Sequence, residues 1–312
     1  MPVEQIAREL STTAMASSVR IIAADGTEDE VTMALRAARG SIEEVEATCS
    51  RFDASSELSR VNARPSGPHE VSALLLEMVG LAVTGHQGTT GRFDPRVLGD
   101  LERMGYDRTF LEMNREGGHL AQRPPRGDWA PVVDPHRALL DLRGAPIDLG
   151  GVAKGAAADR ALRAMAVHGV HGLVDIGGDG AVSGPDGLGA PWSIGIEDPD
   201  GQEEPVAVFA LSRGGYATSS IRLRHWEIAG TAVHHLLDPV TGQPGGEGLR
   251  SVTVLAASGA MAEIAAKAAF LAGRSGIAQH ADDESLACFW IDVEGRRSWS
   301  AAMTPSLIWV RP

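Results

Sequence analysis

Apolar positions along the chain follow two spacings, and each spacing predicts one kind of secondary structure. From residue 31 to residue 49 they recur every three or four residues, as on a helix with one buried stripe made of Val31, Leu35, Ala38, Ile42, Val45 and Cys49. Further helices are predicted after Ser72, a candidate N-cap, from about Ala153 to Gly169, and over residues 260–271. Short apolar runs predict strands at 19–23, 147–149, 172–176, 192–197, 206–211, 251–256 and 286–293.

The mixture of these elements predicts the fold class. Strands outnumber helices and mix with them, so we expect an α+β (mixed α/β) architecture. Residues 114–146 are rich in Gly, Pro and Arg and are expected to form a loop with short strands. No linker divides the sequence, which predicts a single domain over residues 1–312, with residues 1–13 as a flexible or helical N-terminal extension.

Charge and cysteine content limit the partners and the compartment. With 28 basic and 41 acidic residues the net charge is −13, which argues against a nucleic acid partner. Cys49 and Cys288 are too few for a disulfide framework or a zinc site, and they fit a reducing compartment. The N-terminal sequence is not a signal peptide and no apolar run could span a bilayer, so we expect a cytoplasmic protein that does not insert into membranes.

Lysine is rare in this chain. Of the 28 basic residues only Lys154 and Lys267 are lysines, and the others are arginines. A GC-rich coding sequence alone would give this bias. Because the chain uses arginine for ordinary surface cations, each lysine also indicates a place where a compact ammonium is preferred.

The segment from Ile147 to Gly155 is the strongest local motif. It predicts a strand, a Gly150-Gly151 turn and a helix with Lys154 in its first turn. Free N–H groups at a helix start attract phosphate, and a lysine adds a full positive charge. The spacing is neither that of a Walker A loop nor that of a Rossmann fingerprint. The alternative is a tight turn with a surface lysine.

Two further segments contain candidate chemistry. In the run from Val233 to Gly242, a strand is expected to carry His235 as a general base or ligand contact, or as an edge-strand histidine bonded to backbone. Asp238 follows in a turn, where an aspartate more often caps than reacts. On the later helix, Glu263 and Lys267 are four positions apart, and this pair faces either solvent or a cavity.

Taken one at a time, several short runs are typical of ordinary turns and loops. A capped helical turn is expected at Ser55–Asn62, turns at Gly91–Pro95 and Gly177–Gly180, and a hydroxyl-lined loop at Thr218–Ser220. No Ser-His-Asp, HExxH or cysteine-nucleophile signature is present in the sequence.

Taken in order, these runs resemble the ApbE family, the FAD:protein FMN transferases, along nearly the whole chain. The matching segments are Ala14-Met15-Ala16-Ser17, Ser56–Asn62, Thr89–Pro95, Ile147–Gly155, the Gly-Gly-Asp run ending at Asp179, Thr218-Ser219 and the run from His235 to Gly242. The resemblance implies an ApbE-like fold, with mixed sheets, flanking helices and a cleft for FAD. It also implies transfer of FMN from FAD to a Ser or Thr hydroxyl of an acceptor protein, with release of AMP.

The resemblance further implies roles for particular residues. Gly151 and Lys154 would face the FAD pyrophosphate. Other positions would lie along the flavin or the nucleotide, namely Met15, Asn62, Asp94, Thr218, Ser219 and His235. His235 or Asp238 would take the proton of the attacking hydroxyl. Apart from the resemblance, the nearness of Tyr216 and Trp226 to Thr218 in the sequence suggests one of them as the residue that stacks on the flavin ring.

The metal site of the family is altered in this sequence. The family holds Mg²⁺ with a main-chain oxygen and two side chains, whose matching positions here are Ala153, Glu263 and Lys267. A lysine ammonium has no lone pair and repels the ion. The hypothesis is that Lys267 takes the place of the metal, paired with Glu263 and reaching the pyrophosphate. The alternative functions are a non-catalytic FAD-binding flavoprotein and an FAD pyrophosphatase that yields FMN and AMP.

Overall fold

The computed structural model describes residues 8–110, 112–113, 118–121 and 126–312. Its helices are α1 (Glu28–Cys49), α2 (Glu57–Asn62), α3 (Ala73–Gly88), α4 (Leu98–Arg103), α5 (Ala153–Ala166), α6 (Gly259–Leu271) and α7 (Gly273–Asp283), with 3₁₀ turns at Pro95–Val97 and Ala301–Ser306. Its strands are β1 (Arg8–Ala14), β2 (Ser17–Ala24), β3 (His69–Glu70), β4 (Val132–Asp134), β5 (Leu139–Asp141), β6 (His171–Ile176), β7 (Asp179–Ser183), β8 (Trp192–Ile196), β9 (Ala207–Leu211), β10 (Gly214–Ser220), β11 (His225–Ile228), β12 (Thr231–His234), β13 (Leu249–Ala256), β14 (Ala287–Asp292), β15 (Arg297–Trp299) and β16 (Leu307–Val310).

One large antiparallel sheet organises the molecule. Its eight strands lie in the order β1-β2-β6-β7-β10-β13-β14-β15. Smaller sheets pair β11 with β12, β9 with β8 and β16, and β5 with β3 and β4. Helices α5 and α6 pack on β7 and β10, and α1 packs against α5. This arrangement is the α+β class that the sequence predicts.

Local sequence signals account for the helices. Thr27 and Glu30 form a capping box at the start of α1, and Ser56, Ser72 and Ser258 accept an N–H at the starts of α2, α3 and α6. The buried stripe of α1 follows the predicted spacing except at one position, where Ala34 is buried and Leu35 is only partly buried. None of the helices in the described ranges is long and apolar enough to cross a bilayer.

Three sequence predictions about backbone conformation are wrong. Residues 147–149 are not a strand, because the Asn62 side chain bonds both the N–H and the carbonyl of Ile147, at 2.9 and 2.8 Å. Thr218–Ser220 is not a loop but the end of β10, where these residues pair with β13. The strand expected to carry His235 ends one residue earlier, at His234, because the chain turns there toward a bridge between Leu237 and Pro244.

The N-terminal segment also differs from expectation where it is described. Residues 8–14 form strand β1, in register with β2 from Arg8 opposite Ala23 to Ala14 opposite Ser17. They are therefore neither helical nor a loose extension, because the sheet edge pairs with their backbone. Residues 1–7 of the predicted extension lie outside the described residues. In the 114–146 segment, the expected short strands are β4 and β5.

Candidate functional site

The turn before α5 is fixed by a buried arginine. Arg51 Nε lies 3.1 Å from Asp148 Oδ2, and Asp148 Oδ1 accepts the N–H of Gly150 at 2.6 Å. The guanidinium also covers the ring faces of Phe52 and Tyr106, 4.0 and 4.6 Å from their centroids. Because Asp148 has its own counterion, its carboxylate is anchored at the turn.

Lys154, in the first turn of α5, is paired with a carboxylate from the sheet. Its Nζ forms an ion pair with Asp179 Oδ2, and Asp179 Oδ1 accepts the N–H of Thr218 at 2.9 Å. Burial opposes the ammonium, but the charges of Asp179 and Glu263 outweigh it and raise the pKa of Lys154. Lys154 is therefore a fixed positive charge at neutral pH, and its position depends on the β7–β10 pairing.

Glu263 is brought to the start of α5 by close packing of two helices. A Cβ on Gly155 would collide with the backbone of Gly259, so only glycine permits this approach. Asp159 strengthens the contact by accepting the N–H groups of Gly259 and Ala260, at 2.8 and 3.0 Å. Across this contact Glu263 Oε2 accepts the N–H of Gly155 at 2.9 Å.

The environment of Glu263 favours its neutral form. The side chain is 5% exposed. Burial, followed by the negative charge of Asp179, raises the pKa of Glu263 to about 7, although the ammonium groups of Lys154 and Lys267 oppose this. Both lysines of the chain therefore act on one buried carboxyl group.

Lys267 lies one helical turn beyond Glu263 and extends over the glycine turn. A Cβ on Gly151 would collide with Lys267 Nζ and would lie 3.0 Å from the ring of Phe93. Within the described ranges, no carboxylate oxygen lies within ion-pairing distance of this ammonium, so the direct Glu263–Lys267 pair predicted from the sequence is not formed. Burial lowers the pKa of Lys267, even though the charges of Glu263 and Asp148 favour the ammonium.

The donor set at this place does not suit a divalent cation. In the described part of the chain, no group of three or more His, Cys, Asp and Glu side chains is arranged to hold a metal. The predicted set offers the Ala153 carbonyl, one carboxyl group bonded to Gly155, and an ammonium that repels a cation. Asp179, whose charge also acts on Glu263, is already paired with Lys154. Three oxygen ligands for Mg²⁺ are not assembled here.

His235 belongs to the same neighbourhood. Its Nδ1 lies 3.3 Å from the carbonyl oxygen of Arg224. Because a carbonyl only accepts, Nδ1 carries the proton and Nε2 keeps a lone pair. Burial, followed by the positive charges of Arg224 and Lys267, lowers the pKa of His235 well below its ordinary value. The ring is a neutral acceptor at pH 7.

Thr218 and Ser219 occupy successive positions of β10, and the strand places them differently. Thr218 Oγ1 shares a 2.9 Å hydrogen bond with Thr253 Oγ1 on the neighbouring strand β13. Its N–H is the group that donates to Asp179. Ser219 is buried, and strand alternation turns its side chain to the opposite face. Thr218 is therefore connected to Lys154 through Asp179, whereas the side chain of Ser219 lies on the opposite face of the sheet.

Met15 lies at the end of the large sheet where strand β7 begins with Asp179. It occupies the tight turn between β1 and β2 with a φ of 54°, and its N–H donates to Glu46 Oε1 at 2.7 Å. The adjacent turn between β6 and β7 is tied to this one by the N–H of Gly177, which donates to the Ser18 carbonyl at 2.9 Å. Asp179 follows the β6–β7 turn directly, so the Met15 turn is connected to Asp179 through the β6–β7 turn.

Asp94 and Asp238, the two other carboxylates predicted to belong to the site, accept backbone hydrogen bonds that stabilise turns. Asp94 caps the 3₁₀ turn and forms a bidentate pair with the Arg96 guanidinium, with Nη2 2.7 Å from Oδ2. Its link to the site is indirect, through the Pro95 carbonyl, which accepts the N–H of Asp148. Asp238 Oδ1 accepts the N–H of Val240 at 2.8 Å and so stabilises the turn after His235.

Neither aromatic side chain expected to stack on a ligand is free to do so. Tyr216 is 3% exposed and donates its hydroxyl to Asp175 Oδ2 at 2.8 Å. Trp226 is 4% exposed and donates its indole N–H to the Met104 carbonyl at 2.9 Å. Proximity in sequence to Thr218 misled the prediction, because both rings fill hydrophobic clusters beneath the surface.

Sequence reasoning overlooked Asp179 and Arg51 as members of the site. A signal for Asp179 was available, since the Gly-Gly-Asp run is one of the ordered motifs. For Arg51 no local signal exists, because its role arises only where it meets Asp148. Fold and site together define an α+β protein in which two lysines and a glycine turn form a cationic cluster suited to a phosphate group.

The chain belongs to the ApbE family, whose model matches residues 15–290. The FAD:protein FMN transferase of Salmonella typhimurium is 31% identical over 261 residues, which make up 80% of this chain and 75% of that relative. The FAD:protein FMN transferase of Treponema pallidum is 28% identical over 70% of this chain, and the match spans 65% of that relative's length.

Solved structures agree with this assignment. The ApbE protein from Thermotoga maritima matches with a TM-score of 0.83 and 25% identity, covering 96% of this chain and 99% of that one. The flavinyl transferase ApbE from Pseudomonas stutzeri, in its apo form, matches with a TM-score of 0.82 and 21% identity over 98% of each chain, a likeness of fold. The family and the ApbE-like fold expected from the ordered motifs are confirmed.

Proposed function

We propose that this chain is an FAD:protein FMN transferase built as a single ApbE-like domain. It transfers FMN from FAD to a Ser or Thr hydroxyl of an acceptor protein and releases AMP. The observation that carries the proposal is the convergence of Lys154 and Lys267 at the Gly151 turn in a chain of the ApbE family. A pyrophosphate is the part of FAD that such a cluster would bind.

The proposed reaction is a phosphoryl transfer. The acceptor hydroxyl oxygen attacks the phosphorus nearer to riboflavin, and the bond from that phosphorus to the bridging oxygen breaks. The bridging oxygen leaves with AMP, and the hydroxyl loses its proton. Negative charge grows on the leaving phosphate, so fixed ammonium groups beside it stabilise the transition state. Lys154, held by Asp179, supplies such a charge.

His235 is proposed to accept the hydroxyl proton at Nε2. Its Nδ1 is committed to the Arg224 carbonyl, so the lone pair lies on the other nitrogen. Burial, followed by two positive neighbours, lowers the pKa of His235 in the protein alone. The negative phosphates of bound FAD would offset these charges and raise the pKa of His235, which makes it a better base once substrate is bound.

The other predicted contacts are kept as part of the proposal. Gly151 is proposed to leave room for the pyrophosphate, and Met15, Asn62 and Thr218 are proposed as contacts to the flavin or the nucleotide. Ser219 and Asp94 are retained as contacts to flavin or nucleotide, and Asp238 as an alternative proton acceptor. A cytoplasmic location likewise stays a prediction from the sequence.

The test is an assay of the full chain with FAD and a library of Ser- and Thr-containing peptides. We expect AMP release together with flavin fluorescence on peptides that survives denaturation, and loss of both in His235→Asn by at least a hundredfold. AMP with free FMN and unlabelled peptide would indicate an FAD pyrophosphatase. FAD binding without AMP would indicate a flavin-binding protein. Absence of FAD binding would contradict the whole proposal.

A further inference from the structure

The two lysines of the chain meet at one place in the fold. Lys154 comes from α5 and Lys267 from α6, and the charges of both act on Glu263 and on each other. All other basic residues are arginines. A compact ammonium with freely rotating donors acts as a point charge that can bind a phosphate oxygen.

The two ammonium groups are bound differently. Lys154 is satisfied by Asp179, which fixes it in position. Lys267 lies over Gly151, and in the described ranges it has no ion-pair partner, although burial lowers its pKa. A partly buried ammonium without a counterion is unfavourable, and a bound anion would satisfy it. The glycine turn is where that anion would approach.

The same geometry excludes a divalent cation from this place. An ion held by Glu263 and the Ala153 carbonyl would lie beside the Lys267 ammonium and near that of Lys154. Both repel it, and the described residues hold no third acidic ligand that could compensate. The Glu263 oxygen that faces α5 is already bonded to Gly155.

We propose that Lys267, together with Lys154, binds the pyrophosphate of FAD directly, so that this protein holds FAD without a divalent metal ion. The inference rests on the proposed function for the identity of the ligand. It adds that Lys267 occupies the position at which the sequence resemblance implies a metal ligand. In this protein the Lys267 ammonium supplies the positive charge that a metal ion would otherwise bring to the pyrophosphate.

The first experiment titrates FAD into the full chain with excess EDTA and, separately, with Mg²⁺, following flavin fluorescence. We expect dissociation constants that agree within about twofold, since no metal takes part. A dissociation constant at least tenfold lower with Mg²⁺ would overturn the inference. No binding in either buffer would instead contradict the proposed function, so the two failures are distinguishable.

The second experiment changes the lysine itself. In EDTA, Lys267→Met is expected to weaken FAD binding by about tenfold to a hundredfold, the range of one charge-assisted hydrogen bond. Arg39→Met is the matched control: it removes an exposed cation of α1 whose one ion-pair partner among the described residues is Glu43, and FAD binding should not change. Equal affinities of Lys267→Met and the unaltered chain would overturn the inference.

A third variant tests whether the lysine stands in for a metal. Glu263→Asp combined with Lys267→Thr supplies two oxygen side chains and removes the repelling charge. We expect FAD binding by this double variant to be weak in EDTA and to recover at least tenfold with Mg²⁺. Mn²⁺ binding, measured by electron paramagnetic resonance with FAD present, should appear in the double variant and be absent from the unaltered chain. Mn²⁺ bound by the unaltered chain would contradict the inference.

Discussion

At the scale of single residues, the site depends on how each buried charge is matched. Asp179 has two partners, the Lys154 ammonium and the Thr218 N–H, and it is 2% exposed. Glu263 has a backbone N–H and lies near two ammonium groups. A charge removed from such a set leaves the remaining ones without compensation, which costs more than the pair itself contributes.

Replacement of Asp179 should therefore destabilise the protein. Asp179→Asn keeps an oxygen that can accept the Thr218 N–H but leaves the Lys154 ammonium unpaired. We expect the free energy of unfolding to fall by about 3 kcal/mol, the order found when one partner of a buried pair is removed. Urea denaturation measures the change, with the exposed Asp282→Asn as control. Equal stabilities of the two variants would show that the pair is dispensable.

His234 gives a pH-dependent contribution to stability. Burial, followed by the charge of His225, lowers the pKa of His234 from 6.5 to about 4, and its Nδ1 accepts the Leu236 N–H at 3.3 Å. The unfolded chain takes up this proton first, so stability is complete above pH 6.5 and falls as the pH drops toward 4. The loss is at most about 3.5 kcal/mol at roughly 1.4 kcal/mol per pKa unit.

The measurement is urea denaturation at several pH values between 7 and 4. His234→Asn keeps an acceptor near the Leu236 N–H but does not titrate, so its stability should vary less with pH over this window. A pH profile as steep as that of the unaltered chain would mean that other groups cause the loss of stability in acid.

At the scale of elements, the approach of α5 to α6 decides where the chemistry lies. The contact is possible because Gly155 and Gly259 lie against one another without side chains, and Asp159 joins the two helices by hydrogen bonds. The pairing of β10 with β7 then brings Thr218 to Asp179. Each candidate residue is positioned by the packing of an element on its neighbour.

Gly155→Ala tests this helix contact. Alanine favours a helix, but its Cβ would overlap the Gly259 backbone, so we expect a net loss of stability of about 1–3 kcal/mol and weaker FAD binding. Gly40→Ala is the control, since nothing lies within 4 Å of the added Cβ in the middle of α1. There we expect a gain of roughly 0.5–1 kcal/mol. Thermal denaturation compares the two, and stabilisation by both would refute the packing argument.

At the scale of the whole molecule, binding and folding are linked. The cluster unites α5 and α6 with strands β7 and β10 at the centre of the large sheet, so a ligand there contacts elements that unfolding separates. A ligand that binds only the folded state stabilises it by mass action. The stability of the protein should therefore report on occupancy of the site.

FAD should raise the melting temperature in the presence of EDTA. At a concentration 100 times its dissociation constant, the expected stabilisation is about 2.7 kcal/mol. Riboflavin, which lacks the phosphates, should give a much smaller shift because it offers the lysines no anion. Differential scanning fluorimetry makes the comparison. Equal shifts from FAD and riboflavin would indicate that the lysine cluster does not bind the pyrophosphate.

The sequence by itself determined the local structure and the family. Capping serines, the stripe of α1 and the glycine turn are encoded within short segments, and the ordered motifs identify an ApbE protein before any fold is seen. Local patterns failed where the outcome depended on a distant partner. Ile147 is irregular because Asn62 bonds its backbone, and Thr218 is in a strand because it pairs with Thr253 of β13.

Only the tertiary structure decided which group pairs with each buried charged side chain. The sequence made Glu263 and Lys267 neighbours on one helix and suggested that they pair. In the fold Glu263 accepts the N–H of Gly155 and Lys154 forms an ion pair with Asp179. Lys267 lies over the Gly151 turn instead of pairing with Glu263. Spacing along a helix fixes only which residues share a face. The counterion of a buried charge is set by whichever group from another element comes nearest when the core closes.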